Sequence, residues 1–311
     1  MADLDFYQSK YGIVTPTAAF EHFFGTLQNY YDTNFYVDWP KVYANVRRFK
    51  PELLLLSSLC GEKDKQSAAR DLFCRFPQII SVLPILIGCR GAVQLVENTE
   101  EARVITYDFT SSGLMYTEAE IDYYVEFMLS SSLLNLLEHI QSVPDYVTGV
   151  EVGMDTNGRK NRGGDCGIRA IRPFVEHAQQ TLLGVSVHPE VTYDRLVAEG
   201  CTLPRQFQGV RWDWAFWTNK QPRRFAVMEV NHYGSSGSKP AEVARDYISR
   251  QPVLDAAGIG FIWVTDGLGW TKMRNPLREA FTGIHHLVNV KLASEGLLEW
   301  AVRHTLFPTY K

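Results

Sequence analysis

The chain has no long apolar run. Its longest, Pro51–Leu59 and Ile79–Gly88, fall well short of a bilayer-spanning helix. It lacks a secretory signal pattern as well: MADLDFYQSKYG places acids where a basic stretch followed by an apolar one would stand. Cysteine is scarce and unpaired in pattern. Cys60, Cys74, Cys89, Cys166 and Cys201 are odd in number, and no two have CxxC spacing. That excludes a zinc knuckle and a disulfide framework, and suggests reduced thiols in a cytoplasmic protein. No internal repeat and no low-complexity tract interrupts the 311 residues. With 45% hydrophobic and 21% charged residues, a disordered or fibrous chain is excluded.

The formal net charge is −4, which alone disfavours nucleic acid as a partner. Its distribution matters more. Glu97–Glu138 holds nine acids and one base, Arg103, whereas Asp155–Arg224 holds eleven bases and seven acids, a net of +4. A near-neutral total can conceal a basic face.

Hydrophobic periodicity predicts a helical first half. Phe20, Phe23, Phe24 and Leu27 recur at helical spacing, and Asp38 reads as an N-cap with Pro40 in the first turn. Thr117 caps a helix over Glu118–Ile140, broken at Ser130–Ser132. The second half alternates. Strands are expected at Leu182–Val187, Val210–Trp217, Arg224–Val230 and Ile259–Thr265, with helices at Ile168–Leu183, Pro240–Ala257 and Asn275–Phe281. This is an α/β layout with a soft boundary near Pro144, giving a helical region over 1–145 and a second region over 146–311.

Two of these strands carry a carboxylate where a plain buried strand would not. Asp213 lies within Trp212-Asp-Trp-Ala-Phe-Trp217, and Glu229 follows Phe225-Ala-Val-Met228. A buried carboxylate needs a cation, a metal or several donors. If the strands form a hairpin turning at Asn219–Pro222, residues whose numbers sum to 442 face each other, and 213 + 229 = 442. Two facing carboxylates repel unless something positive lies between them, and Mg²⁺ suits one or two carboxylates plus phosphate oxygens. The plainer alternative is a structural ion pair with Arg211, Arg223 or Arg224.

The segment Asp155–Gly164 reads as a nucleic-acid loop. Arg159, Lys160 and Arg162 stand beside Asn157 and Asn161, and Gly158, Gly163 and Gly164 allow close approach to phosphate. Arg and Asn read guanine and adenine edges respectively. The alternative is a solvated basic loop. Asp266 reads as a turn residue, and His232 as a structural group or DNA contact, not a base.

The spacing Asp213-x(15)-Glu229-Val-Asn231 resembles the PD-(D/E)xK nuclease signature. Glu229-Val-Asn-His-Tyr-Gly-Ser-Ser-Gly-Ser-Lys239 and Asp155-Thr-Asn-Gly-Arg-Lys-Asn-Arg-Gly-Gly164 are similar to segments of DpnII/MboI-type restriction endonucleases. Asn34-Phe-Tyr-Val-Asp-Trp39 and Trp263-Val-Thr-Asp-Gly-Leu-Gly-Trp270 also fit, so the resemblance runs from about Asn29 onward. It implies an α+β core of a mixed central sheet flanked by helices. The helical N-terminal region would then embrace DNA or dimerise.

The resemblance further implies Mg²⁺-dependent cleavage of double-stranded DNA at unmethylated GATC, leaving 5′ overhangs, by a cytoplasmic prokaryotic homodimer. A cognate DNA adenine methyltransferase would act on the same site without a stable complex. By the same token Asp213 and Glu229 hold the metal, and Glu176, on the Gly167–Gln180 helix, is a candidate third ligand or water holder. Tyr233, Ser238 and Lys239 join the basic segment as DNA contacts. Asn231 stands where the signature has lysine, so Lys239, Lys220 and Lys160 are candidates for the missing charge. Rival readings are a nuclease of this scaffold with a repair or junction target, a DNA-binding protein with a decayed site, and a paired-carboxylate glycosidase. Arg-Lys-Asn-Arg argues against the last, since neutral sugars give no reason for it.

Overall fold

The computed structural model describes residues 3–98, 100–101, 103–110 and 116–308, and for Asn98, Lys160 and Asn161 the backbone alone. Tyr36–Arg159 forms one compact unit; Met1–Phe35 with Lys160–Lys311 forms the other. The expected boundary at 145/146 therefore falls inside the first of these. It lies in a continuous helix, Val143–Asp155, whose N-cap Ser142 accepts the Asp145 amide. Pro144 marks the first turn of that helix, not a domain limit.

Within Tyr36–Arg159 the capping signals act locally as expected. Asp38 accepts the Lys41 amide at the start of Trp39–Arg48. Thr117 and Glu120 form a reciprocal capping box at Glu118–Ser130. Ser132 takes a left-handed conformation and a new helix, Leu133–His139, follows. The core gathers Leu53, Leu56, Phe73, Ile79–Leu86, Phe127 and Leu137. One element departs from the all-helical expectation. β1 (Val93–Asn98) and β2 (Arg103–Tyr107) pair antiparallel, and among their described residues only the paired ends Val93 and Tyr107 are buried. Such short, mostly solvated strands leave little alternation to read.

The other unit is built on a five-stranded sheet ordered β3 (Val185–Thr192), β4 (Arg211–Thr218), β5 (Phe225–His232), β6 (Ile259–Asp266) and β7 (His286–Val288). β3–β4 and β4–β5 are antiparallel, while β5–β6 and β6–β7 are parallel, as the crossover helices Ser238–Ala256 and Arg274–Gly283 require. The mixed α+β class is thus borne out. β3 starts later than expected because the preceding helix, Arg159–Thr181, is followed by a turn in which Gly184 adopts φ +82°. β4 and β6 are buried almost along their length, so they read as apolar runs and not as alternating strands. Trp212, Phe216, Phe261 and Trp263 are fully buried among them.

Asp266 ends β6 and is no ordinary turn residue. It is 2% exposed, and its carboxylate accepts the backbone amides of Gln28 (2.7 Å), Gly267 (2.8 Å) and Val290 (2.9 Å). One side chain thereby ties the N-terminal segment and the helix Val290–Ser294 to the sheet. Burial pushes its carboxyl up to about 6 against the pull of the three donors. Beyond it, Cβ atoms at Gly267 and Gly269 would lie 2.2 and 2.5 Å from the backbone oxygens of Tyr233 and Ser235. Glycine at these two positions lets the turn after β6 pack on the loop after β5. Asp266→Ala would leave two buried donors and one partly buried donor without their partner. We expect a loss of about 3 kcal/mol or more, read as a lowered urea midpoint, with Asp266→Asn retaining part of it.

Candidate active site

The β4–β5 ladder pairs Trp214 with Met228, Ala215 with Val227, Phe216 with Ala226 and Trp217 with Phe225. Each pair sums to 442, and the next step of this register brings Asp213 opposite Glu229. The two carboxyls lie within hydrogen-bonding reach of each other, and the Val230 amide donates to Asp213 Oδ2 at 2.7 Å. A carboxyl can bond a carboxylate only by sharing a proton. Burial, and then the neighbouring Asp213 charge, push Glu229 up to about 8. Burial raises Asp213 too, against the pull of its donors.

Of the arginines nearest in sequence, Arg211 lowers the Asp213 pKa through its charge but makes its ion pair elsewhere. Arg211 faces Glu190 at 3.8 Å and Arg223 pairs with Glu199. The cation that reaches the acids comes from the crossover helix Ser238–Ala256. Arg250 Nη1 stands 3.9 Å from Glu229 Oε1, while Nη2 holds Asp246 at 2.7 Å. Its guanidinium lies 5.1 Å from the Tyr247 ring and 5.8 Å from that of Trp212. Tyr247, one turn before Arg250 on the same helix, hydrogen-bonds Glu229. Neither Arg250 nor Tyr247 was singled out in the sequence, because a helix on the next crossover offers no spacing signal toward a hairpin.

Asn231 occupies the place of the signature lysine, two residues along the strand from Glu229 and on its face. The Trp263 indole donates to Asn231 Oδ1 at 2.9 Å. Indole can only donate, so Nδ2 of Asn231 is turned the other way. This residue is therefore a fixed amide donor and not a charge. Tyr233, just beyond β5, is half-buried; its hydroxyl has no partner among the described residues, and burial raises its pKa. His232 is buried, accepts the Tyr30 amide at Nε2 (3.3 Å), and burial lowers its pKa. That fits a structural role.

For the other candidates no contact with the acids is seen among the described residues. Glu176 is exposed on the Arg159–Thr181 helix, and no third His, Cys, Asp or Glu joins a metal-holding group among the described residues. Ser238 and Lys239 open the Ser238–Ala256 helix and are exposed. Lys220 lies exposed in the β4–β5 turn.

No open loop is found at 155–164. Asp155 ends one helix, Thr156–Gly158 is a single tight turn, and Arg159 begins the next helix. Asp155 is buried, accepting the Asp38 amide at 3.0 Å and facing Lys41 Nζ at 3.4 Å. Asn157 is exposed, and Arg159 Nε donates to the Tyr36 carbonyl at 2.8 Å. In the other unit Arg162 Nε donates to the Phe35 carbonyl at 2.9 Å. The glycines do not open a loop here: Arg159 and Arg162 fix the start of the helix on the carbonyls of Tyr36 and Phe35. Lys160 and Asn161 lie in the helix with side chains outside the described residues.

The family described as DpnII restriction endonuclease matches residues 19–300. The chain belongs to this family. It is 33% identical over 271 residues to the type II restriction enzyme MjaIII of Methanocaldococcus jannaschii, covering 86% of this chain and 92% of that enzyme. It is 32% identical to DpnII of Streptococcus pneumoniae, over 86% of this chain and 92% of the relative. It is 30% identical to MboI of Moraxella bovis, over 90% and 98%. No solved structure matches the chain. As a DpnII-family member it is a type II site-specific endonuclease acting on double-stranded DNA, an enzyme class that generally uses divalent metal ions. No helix among the described residues is long and apolar enough to cross a membrane.

The site's donor set fits such an ion. Two carboxylates are held together at the cost of a shared proton, all donors are hard oxygens, and the surrounding wall is aromatic. The raised Glu229 has a consequence for the metal-free chain. A folded pKa above the unfolded value contributes stability that is full below about 4.5 and lost as pH climbs through about 8. We expect the metal-free protein to lose stability across this window, and Glu229→Gln to flatten the profile. Thermal midpoints measured in chelator from pH 5 to pH 9 check it; parallel profiles would count against the shared proton.

Proposed function

We propose that this endonuclease cuts both strands of duplex DNA at unmethylated GATC, before the G, leaving four-base 5′ overhangs. It is read as a cytoplasmic prokaryotic homodimer that uses Mg²⁺ held by Asp213 and Glu229. It would be the restriction arm of a system whose adenine methyltransferase protects the same site. The observation that supports this reading best is the in-register carboxylate pair, within a chain matching the DpnII family over residues 19–300. A two-fold dimer suits a palindrome because each site then cuts one strand.

The chain's own groups have separable tasks in this reading. Asp213, fixed by the Val230 amide, and Glu229, held by Tyr247, present oxygens on one face. A divalent ion bound there supplies polarisation of the scissile phosphate and an acidified water. Asn231 Nδ2, fixed in direction by Trp263, is a neutral donor that orients water or a phosphate oxygen. Arg250 supplies the positive charge that Asn231 does not, from a neighbouring element. Lys239 remains a phosphate contact from its exposed position in the first turn of the helix. Asn157 and Asn161, with Arg159, Lys160 and Arg162, are the proposed contacts to bases and phosphates.

Asp213→Ala and Glu229→Ala should each lower cleavage by at least about 10²-fold, since losing an outer partner of a ligand already costs about 10- to 100-fold. Duplex binding should be retained. Full activity of either variant, or of wild type in chelator, would overturn the site.

Methylation tests the target. A bidentate asparagine accepts from adenine N6 and donates to N7. N6-methylation removes one of the two N–H groups and adds bulk, at about 1–3 kcal/mol per half-site. Plasmid from an adenine-methylating host should resist digestion, while unmethylated plasmid is cut to completion and end sequencing reads GATC overhangs. Equal digestion of both would leave a nuclease with another target.

A further inference from the structure

The segment Asn34–Trp39 has no part in the acid pair, yet it leads into an unusual surface of the Tyr36–Arg159 unit. The helix Trp39–Arg48 contains three cations, Lys41, Arg47 and Arg48, and no acid. Val42 is buried, with Asn45 and Val46 half-buried, and this inner side packs on the Val143–Asp155 helix. Asn45 Nδ2 donates to Glu151 at 2.7 Å across that contact. The outer side carries aromatics that a core would normally claim. Trp39 is 43% exposed and Tyr43 52%, with their rings stacked 5.4 Å apart. Tyr36 is 58% exposed, with the Arg159 guanidinium 5.7 Å from its ring. Arg47 and Arg48 are exposed and make no ion pair among the described residues; Arg48 lies 5.0 Å from the Phe49 ring. Of the nearby acids, Asp38 caps the helix, Glu151 and Asp155 are buried against Arg90 and Lys41, and Glu52, four residues after Arg48, forms no ion pair with either arginine among the described residues.

We infer that this face is a duplex-DNA contact, separate from the carboxylate pair. Arg47 and Arg48 would reach phosphates, and Trp39 and Tyr43 would lie flat against sugars and groove edges. The inference rests on the nuclease reading above and extends it to a surface that reading does not use. Exposed aromatics beside arginine also occur at protein interfaces. A two-fold contact centred on this helix, however, would set it against its own copy, cation facing cation without an acid on the helix to offset them. A duplex meets both features at once: counterion release rewards the arginines, and the apolar faces of the deoxyriboses lining the groove suit the rings.

Trp39 makes the test direct, because it is the only one of the seven tryptophans that is exposed. Full-length protein is titrated in chelator with a GATC-containing duplex and with one lacking GATC. Tryptophan emission should change with both, and Trp39→Phe should remove most of the change while affinity stays measurable. In Arg47→Ala/Arg48→Ala the slope of log K against log salt should shrink by about 2, since each phosphate no longer neutralised lowers it by about 0.9. Far-UV circular dichroism verifies that the helix is retained. Unchanged slope and affinity in the double variant, with wild type binding duplex normally, would overturn the surface and leave the nuclease reading intact. Self-association that the double variant abolishes, without effect on DNA, would assign the face to a second copy and overturn it likewise. A wild-type chain that binds no duplex in chelator, nor with Ca²⁺ added to occupy the acid pair without supporting cleavage, would overturn the surface and the proposed target together.

Discussion

Two carboxylates side by side in an aromatic sheet are an electrostatic debt, and much of the second unit is arranged around it. In a buried setting like charges cannot both ionise without a positive neighbour. Here the metal-free chain answers with a shared proton between Asp213 and Glu229, the Val230 amide, Tyr247 and an arginine at 3.9 Å. Each of these offsets the repulsion only in part, because Glu229 still stands at about 8. An acid kept so far above its ordinary range is poised to exchange its proton for a stronger cation. That makes the arrangement costly for stability and useful for binding, a combination expected of functional sites.

The division of labour between Asn231 and Arg250 follows from the same constraint. A lysine in the strand would place its charge on a flexible stem within the ladder's own face. Here the strand position is an amide, pinned by the Trp263 indole, and the charge arrives from a helix, flanked by Tyr247 and Trp212. Guanidinium stacks on rings and is weakly hydrated, so it suits a half-buried aromatic setting better than ammonium does. Its distance from the acids in sequence is immaterial, since the parallel crossover from β5 to β6 returns the Ser238–Ala256 helix over the hairpin.

What could be read in the residues was what depends on neighbours in sequence. Helix caps at Asp38 and Thr117, the β4–β5 hairpin, and the register that opposes Asp213 to Glu229 are set by short-range chemistry and a period of two. What could not be read depends on distant partners. Arg250 was missed because no local pattern points a helix residue at a strand two elements back. Asp266 passed for a turn residue, since the amides of Gln28 and Val290 are far away in the chain. Asp155–Gly164 passed for a loop because glycines and charges are the local signature of one. Carbonyl acceptors on Phe35 and Tyr36 give Arg159 and Arg162 fixed anchors, and helix prevails.

Charge shows the same limit of averages. The acid-rich stretch Glu97–Glu138 dominates the count for the Tyr36–Arg159 unit, yet four of its nine acids meet bases locally. Arg70 holds Asp122 at 2.7 Å and Glu118 at 3.1 Å, Lys65 holds Glu138 at 2.9 Å, and Arg103 pairs with Glu97. Such exposed pairs add little stability, but they quench the field they would otherwise project. Arg47 and Arg48 have no such partners among the described residues. A unit that is acidic by count can therefore present a positive surface where it matters, because a polyanion responds to the charges left unneutralised and not to their sum.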